Sequence, residues 1–188
     1  GLTPEDKQLL VAGIDEKQTY YNFYIGGKIA LSDSFFKDAT LKFNRFWDGY
    51  ESAENRFVFK PSFDVAINDF DINTNVIVDY VGGNFKNGYN NTTAIDYGFA
   101  NFGISPSFVY TRDDLSMDIG VSVVYSAAQE ADSKLYFYPQ ITAAYKVVGD
   151  LMVFYAGAEG GLQQNSYRDF TTINPFLSPT LQIRPTDQ

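Results

Sequence analysis

From residue 18 onward the chain repeats with a period of two, and each repeat outlasts an ordinary soluble strand. Tyr21, Phe23, Ile25, Gly27, Ile29 and Leu31 alternate with Asn22, Tyr24, Lys28 and Ala30. Phe57, Phe59, Phe63, Val65 and Ile67 oppose Lys60, Ser62 and Asp64, and Leu115, Met117, Ile119, Val121, Val123 and Tyr125 oppose Ser116, Asp118 and Ser122. Successive side chains of a strand point to opposite faces, so each run has one apolar and one polar face. Soluble strands average roughly five or six residues, whereas these runs reach about ten or more. Eight strands are predicted, near 18–31, 38–47, 56–67, 70–81, 96–111, 115–127, 134–147 and 151–162, with a ninth starting near 179. Helical spacing is expected only at Pro4–Val11, which leaves residues 1–17 as an N-terminal extension or short helical turn before a β segment over 18–188.

The connections constrain the order of these strands. Ser32–Lys37, Asn68-Asp69, Arg112–Asp114 and Gly149-Asp150 are short and rich in turn-forming residues, whereas Asp48–Asn55, Gly82–Ala94, Ala128–Ser133 and Gln163–Ser178 are longer and polar. Short and long connections alternate, which predicts an all-β, antiparallel up-and-down meander with tight turns at one end and loops at the other. Pro61, Pro106, Pro139 and Pro179 each follow a long connection. Proline lacks a ladder donor, so a strand start or bend is expected at each.

The same alternation would suit a soluble sandwich, and the distribution of charge separates the two cases. The apolar face carries almost no charge, while Lys28, Lys42, Lys60, Asp64, Asp71, Asp79, Asp118 and Lys146 collect on the other. A spanning strand needs about 9–11 tilted residues, and a lysine or arginine facing lipid at mid-depth costs about 2–4 kcal/mol. Tyr20, Tyr21, Tyr80, Tyr110, Tyr125, Phe137, Tyr145 and Tyr155 lie toward strand ends, where a ring with a wet hydroxyl suits an interfacial girdle. The fold expected is a transmembrane outer-membrane β-barrel, here eight or nine strands of a larger barrel, with the charged residues facing its lumen.

Composition narrows the chemistry. The chain has 188 residues, no histidine, no cysteine and a net charge of −9. Histidine relays, thiol nucleophiles, thiolate zinc sites and disulfides are excluded, and an acidic chain is a poor ligand for nucleic acid. Asp69-Phe-Asp71-Ile-Asn73 opens like a calcium loop, but Thr74 takes the glycine position and Tyr80 the position of the bidentate glutamate. The glycine pairs Gly26-Gly27, Gly82-Gly83 and Gly160-Gly161 lack the context of a phosphate loop and are expected to permit bends or bulges. Asp113-Asp114 and Glu51 with Glu54 are the nearest approach to an acid–base pair, and turn acids of this kind are solvated. The acidic stretch Asp48–Asn55 is expected as a solvated loop, with divalent-cation binding as its alternative. No catalytic residue, cofactor or metal site is expected.

Three stretches, Asp79–Asn91, Glu159–Ser166 and Asn174–Gln188, resemble segments of Bacteroidota outer-membrane β-barrel proteins of the TonB-dependent-receptor-like type. The resemblance covers nearly all of the chain from Tyr20 onward. It implies a barrel that continues beyond Gln188, outer-membrane lipid and further barrel strands or envelope proteins as partners, and a location in the outer membrane of a Gram-negative bacterium. The plug domain and energy-coupling box of a true receptor are not visible in the sequence, so the resemblance implies architecture before TonB-driven uptake. The function expected is solute passage, reception or a structural role in that membrane. The rivals are a soluble antiparallel β binding module, for example for carbohydrate through exposed tyrosines and Trp47, and a membrane-embedded enzyme.

Overall fold

A computed structural model describes residues 3–4, 18–32, 35–67, 70–86, 94–129, 131–148, 151–177 and 183–188. Eight strands form one antiparallel sheet in strict chain order: β1 (Tyr20–Ala30), β2 (Phe36–Asp48), β3 (Ala53–Ile67), β4 (Phe70–Phe85), β5 (Ile95–Arg112), β6 (Leu115–Ala128), β7 (Lys134–Val148) and β8 (Met152–Glu159). Every neighbour is the previous or the next strand, and β1 and β8 are the sheet's two edges. The sheet is an open meander. Beyond it lie β9 (Leu162–Gln163), the helix α1 (Tyr167–Ile173) and β10 (Thr186–Asp187), with β9 and β10 paired in a small separate sheet.

Register turns the alternation of the sequence into two continuous surfaces. One cross-strand row runs Gly27, Leu41, Phe59, Val78, Phe102, Tyr125 and Leu135. The adjacent row, on the other face, runs Gly26, Lys42, Val58, Asp79, Asn101, Ser126 and Lys134. A slip of one residue in any ladder would exchange that strand's two faces, so the hydrophobic pattern fixes the register. The rows also cross the strands obliquely. Gly27 is the eighth residue of β1, whereas Leu135 in the same row is the second of β7. Such stagger is the geometric partner of strand tilt.

The prolines lie within strands, not at their starts. The β3–β4 ladder breaks between Phe59–Val78 and Ser62–Asn75, skipping Lys60 and Pro61. The β5–β6 ladder breaks between Ile104–Val123 and Ser107–Gly120, skipping Ser105 and Pro106. The β7–β8 ladder begins at Gln140–Glu159, one residue past Pro139. Each missing N–H faces the next strand in the chain, so the ladder opens locally while pairing on the other side persists at Ala39–Pro61, Thr74–Pro106 and Val121–Pro139. Pro179 lies outside the described residues.

Other expectations need correction. The connection expected over Asp48–Asn55 is a tight turn over 49–52, because pairing continues to Asp48 and resumes at Ala53. Its chain reversal is held by the Asp48 carboxylate, which accepts from the backbone N–H of Tyr50 and of Ser52 at 2.9 Å each, with Glu51 in the left-handed region at φ 64°. Asp113 does the same service in the β5–β6 turn at φ 53°, a conformation that Asp tolerates better than most residues. The start expected near 179 for a ninth strand lies outside the described residues; of those that follow, Thr186–Asp187 pair with Leu162–Gln163 in the small separate sheet. A helix stands where only a long loop was expected, over Tyr167–Ile173. The helical turn expected at Pro4–Val11 falls largely outside the described residues.

Candidate functional site

All eight charged residues singled out by the alternation, Lys28, Lys42, Lys60, Asp64, Asp71, Asp79, Asp118 and Lys146, stand on one face of the sheet by register. They do not form a single cluster. Lys28 pairs with Asp38 at 3.2 Å and Asp64 with Lys37 at 3.5 Å, both in solvent-accessible positions. Lys42, Lys60 and Asp79 share one cavity, Asp118 lies in another, and Asp71 and Lys146 are exposed toward the tight-turn end. Of the aromatic residues expected in a girdle, Tyr21, Tyr80, Tyr110, Tyr125, Phe137 and Tyr145 stand on the apolar face, while Tyr20 and Tyr155 stand on the polar face. Tyr155 is opposite Ala144 there. Tyr20 stacks on Phe46 with ring centroids 5.6 Å apart and donates its hydroxyl to the Pro175 carbonyl. Closeness to a strand end says nothing of parity, and parity turns both rings away from the girdle face.

The polar face is half open and half covered. Residues 160–177 and 183–188 fold back over its loop end, so a buried core forms between this cap and the strands: Phe46, Val81, Phe85, Tyr97, Tyr167 and Ile183. Tyr167 is the centre of it. Its ring meets Phe46 edge-on at 5.4 Å and Phe85 at 4.9 Å, geometries that aromatic quadrupoles favour. Its hydroxyl donates to Asp48 at 2.8 Å, and burial together with that carboxylate holds the phenol above its ordinary pKa.

The helix is capped from two directions. Ser166 is its N-cap and accepts from the Asp169 N–H at 3.1 Å. The first two helical N–H groups, of Tyr167 and Arg168, donate to the Glu54 carboxylate on β3 at 2.6 and 3.4 Å. A helix start leaves such donors without partners inside the helix, and here a strand residue supplies the acceptor. Glu54 is 1% exposed and also accepts from the Tyr97 hydroxyl at 2.6 Å. Arg56, two residues on and on the same face, braces the assembly: it forms a bidentate pair with Asp79 at 3.0 and 2.7 Å and reaches Asp169 of the helix at 3.2 Å.

The cap is anchored across the sheet. Asn101 on β5 donates to Gln164 at 2.6 Å, Tyr138 on β7 donates to Asp187 at 2.6 Å, and Gln140 donates to the Gly160 carbonyl at 2.6 Å. Glu51 does not pair with Glu54; its carboxylate lies 3.5 Å from the Lys86 ammonium. Asp48 and Glu54 are committed to N–H and O–H donors, so the acidic stretch is a docking point for the cap, not a cation loop. Among the described residues no cluster of three or more carboxylates has the arrangement of a metal site.

Among the cavities of the polar face beyond the cap, two are unlike in charge. One, of about 150 Å³, is bordered by Asn75, Ser105, Asp118, Gln140 and Glu159 and carries carboxylates without a lysine or arginine. The other, of about 360 Å³, lies between β1–β4 and α1 and is rich in cations. Comparison with protein-family models, with curated proteins and with solved structures gives no match.

Proposed function

We propose that this chain is part of a transmembrane outer-membrane β-barrel, in contact with lipid through its apolar face and lining an aqueous path with its polar face. The observation that carries the reading is the absence of charge from the middle of a broad and uncovered apolar surface. By register, the charged residues on that face are Arg45, Asp96 and Arg112, and each lies within three positions of a strand end. Between them Ile25, Phe102, Val121 and Phe137 stand open, at 59%, 49%, 42% and 65% exposure. A contiguous apolar surface of this breadth marks contact with lipid or with another apolar body. A two-layer sandwich would instead pack such a face against a second sheet, and the second layer here covers the polar face.

The bare edges of β1 and β8 complete the proposal. In hydrocarbon each unpaired backbone group costs several kcal/mol, so both edges take partner strands, from a longer parent chain or from another envelope protein. The role is passage or reception of a solute, or a structural part in the envelope, through TonB-dependent-receptor-like architecture.

Trp47, the only tryptophan in the chain, tests this directly. It stands on the apolar face one residue from the end of β2, stacked on Tyr21 with centroids 5.4 Å apart and overlain by Arg45. In lipid vesicles its emission should shift to shorter wavelength and be quenched by bromines placed near the headgroup, with migration on a gel that changes on heating. A monodisperse monomer in plain buffer that ignores vesicles would end the reading.

A further inference from the structure

We propose that the cavity between β1–β4 and α1 binds the multiply charged oxyanion of a small solute, a group of the phosphate or sulfate type. The chain as a whole has 23 acidic and 14 basic residues, yet this lining holds Lys42, Arg56, Lys60 and Arg168 against a single carboxylate, Asp79. That carboxylate is already spent on Arg56, which engages both of its oxygens. Lys42, Lys60 and Arg168 make no salt bridge among the described residues, and all three side chains are exposed to the cavity's solvent.

The placement of these cations is built into the ladder. Lys42 stands opposite Val58 and Lys60 opposite Thr40, so the two lysines are diagonal neighbours on one face of the β2–β3 pair, roughly 7–8 Å apart at their roots. Arg168 descends from the cap, where its own N–H is held by Glu54 and the preceding Tyr167 is packed in the core. Tyr24 closes the β1 side. Its ring lies along the strand over Gly26, where a Cβ would come 2.8 Å from the tyrosine hydroxyl, and that hydroxyl and Thr40 add neutral donors to the lining.

Like charges brought together on three elements repel one another until an anion joins them. Lysines meet a phosphate-type group as mobile point charges, and arginine adds a planar fork. A neutral sugar would not call for three cations without a described carboxylate partner, and a metal ion would be repelled by them. A volume of about 360 Å³ lies within the range of small-molecule sites. The site rests on the sheet and its cap alone, and it does not depend on whether the apolar face lies in lipid.

The test is calorimetric titration of the full chain in detergent micelles at low ionic strength, with pyrophosphate in one arm and sulfate in the other. Saturable one-to-one binding is expected, weakened at least tenfold in Lys42→Gln/Lys60→Gln and in Arg168→Gln, and unchanged in Asp118→Asn. Tighter binding of pyrophosphate assigns a phosphate-type group, and comparable affinity for sulfate assigns recognition by charge alone. No saturable binding by the parent chain with its β circular dichroism intact, or binding that survives both lysine and arginine variants, overturns the proposal. Failure to enter vesicles would leave these titrations unaffected and bears only on the membrane reading.

Discussion

At the scale of single residues, Glu54 is the point on which the cap depends. Its carboxylate serves three donors from two elements, and no other acceptor is described for the Tyr167 and Arg168 N–H groups. Glu54→Ala would strand two buried donors, the Tyr97 hydroxyl and the Tyr167 N–H, at about 1–3 kcal/mol each, so the expected loss is at least about 2 kcal/mol in the cap's docking. Hydrogen exchange at residues 167–169 reads it, with the sheet's own protection as the internal reference. Gly83 acts on the same contact from the neighbouring strand. A Cβ there would stand 2.6 Å from the Tyr97 Cζ and 2.7 Å from the Ala53 carbonyl oxygen, which belongs to the backbone and cannot step aside. Gly83→Ala should therefore drive Tyr97 off Glu54 and loosen the cap in the same assay, whereas alanine at the unencumbered Gly27 should not. The glycine pairs noted in the sequence thus admit tyrosine rings lying close against the sheet at Gly26, Gly82 and Gly83, which is a packing role that one-dimensional spacing does not reveal.

At the scale of elements, the strands were legible because both faces impose their own composition, and parity alone assigned every charged candidate to one side. Strand ends were less so: Asp48, Glu54 and Phe85 are paired residues inside what reads as polar loop, because their side chains are buried under the cap and not in solvent. The helix was missed for a related reason. Its seven residues are too few to display a repeat, although Ser166-Tyr-Arg-Asp169 has the spacing of an N-cap followed by an acid in the first turn, and that signal could have found it. The prolines offer a test of ladder breakage. Pro106→Val restores a donor facing β6, so a protected amide should appear at 106 and stability should rise by about 0.5–1.5 kcal/mol, the net value of one hydrogen bond. Unchanged exchange there would mean that β5 bends away from β6 irrespective of the proline.

At the scale of the whole molecule, the decisive property is that the two faces of one sheet differ in composition, one apolar and one carrying the charged residues. Phe102 and Asp118 stand on adjoining strands and opposite faces. If the apolar face lies in lipid, Phe102→Lys should cost about 2–4 kcal/mol in reversible unfolding from vesicles, and Asp118→Lys, on the polar face, should cost less than about 1 kcal/mol. Equal costs would place both faces in water. That the sheet is open, with β1 and β8 at its edges, was not legible, because the periodicity of a strand speaks only for its faces. The position of the cap has a further consequence for the order of assembly. Hairpins between consecutive strands form from nearby residues and can zip one after another, but the groups that hold the C-terminal segment, the Asp48 and Glu54 carboxylates as acceptors and the Asn101 amide as a donor, converge only after the four strands β2 to β5 are side by side. The last residues of the chain thus act as an inspector of its first half, locking down late and only on a correctly aligned sheet.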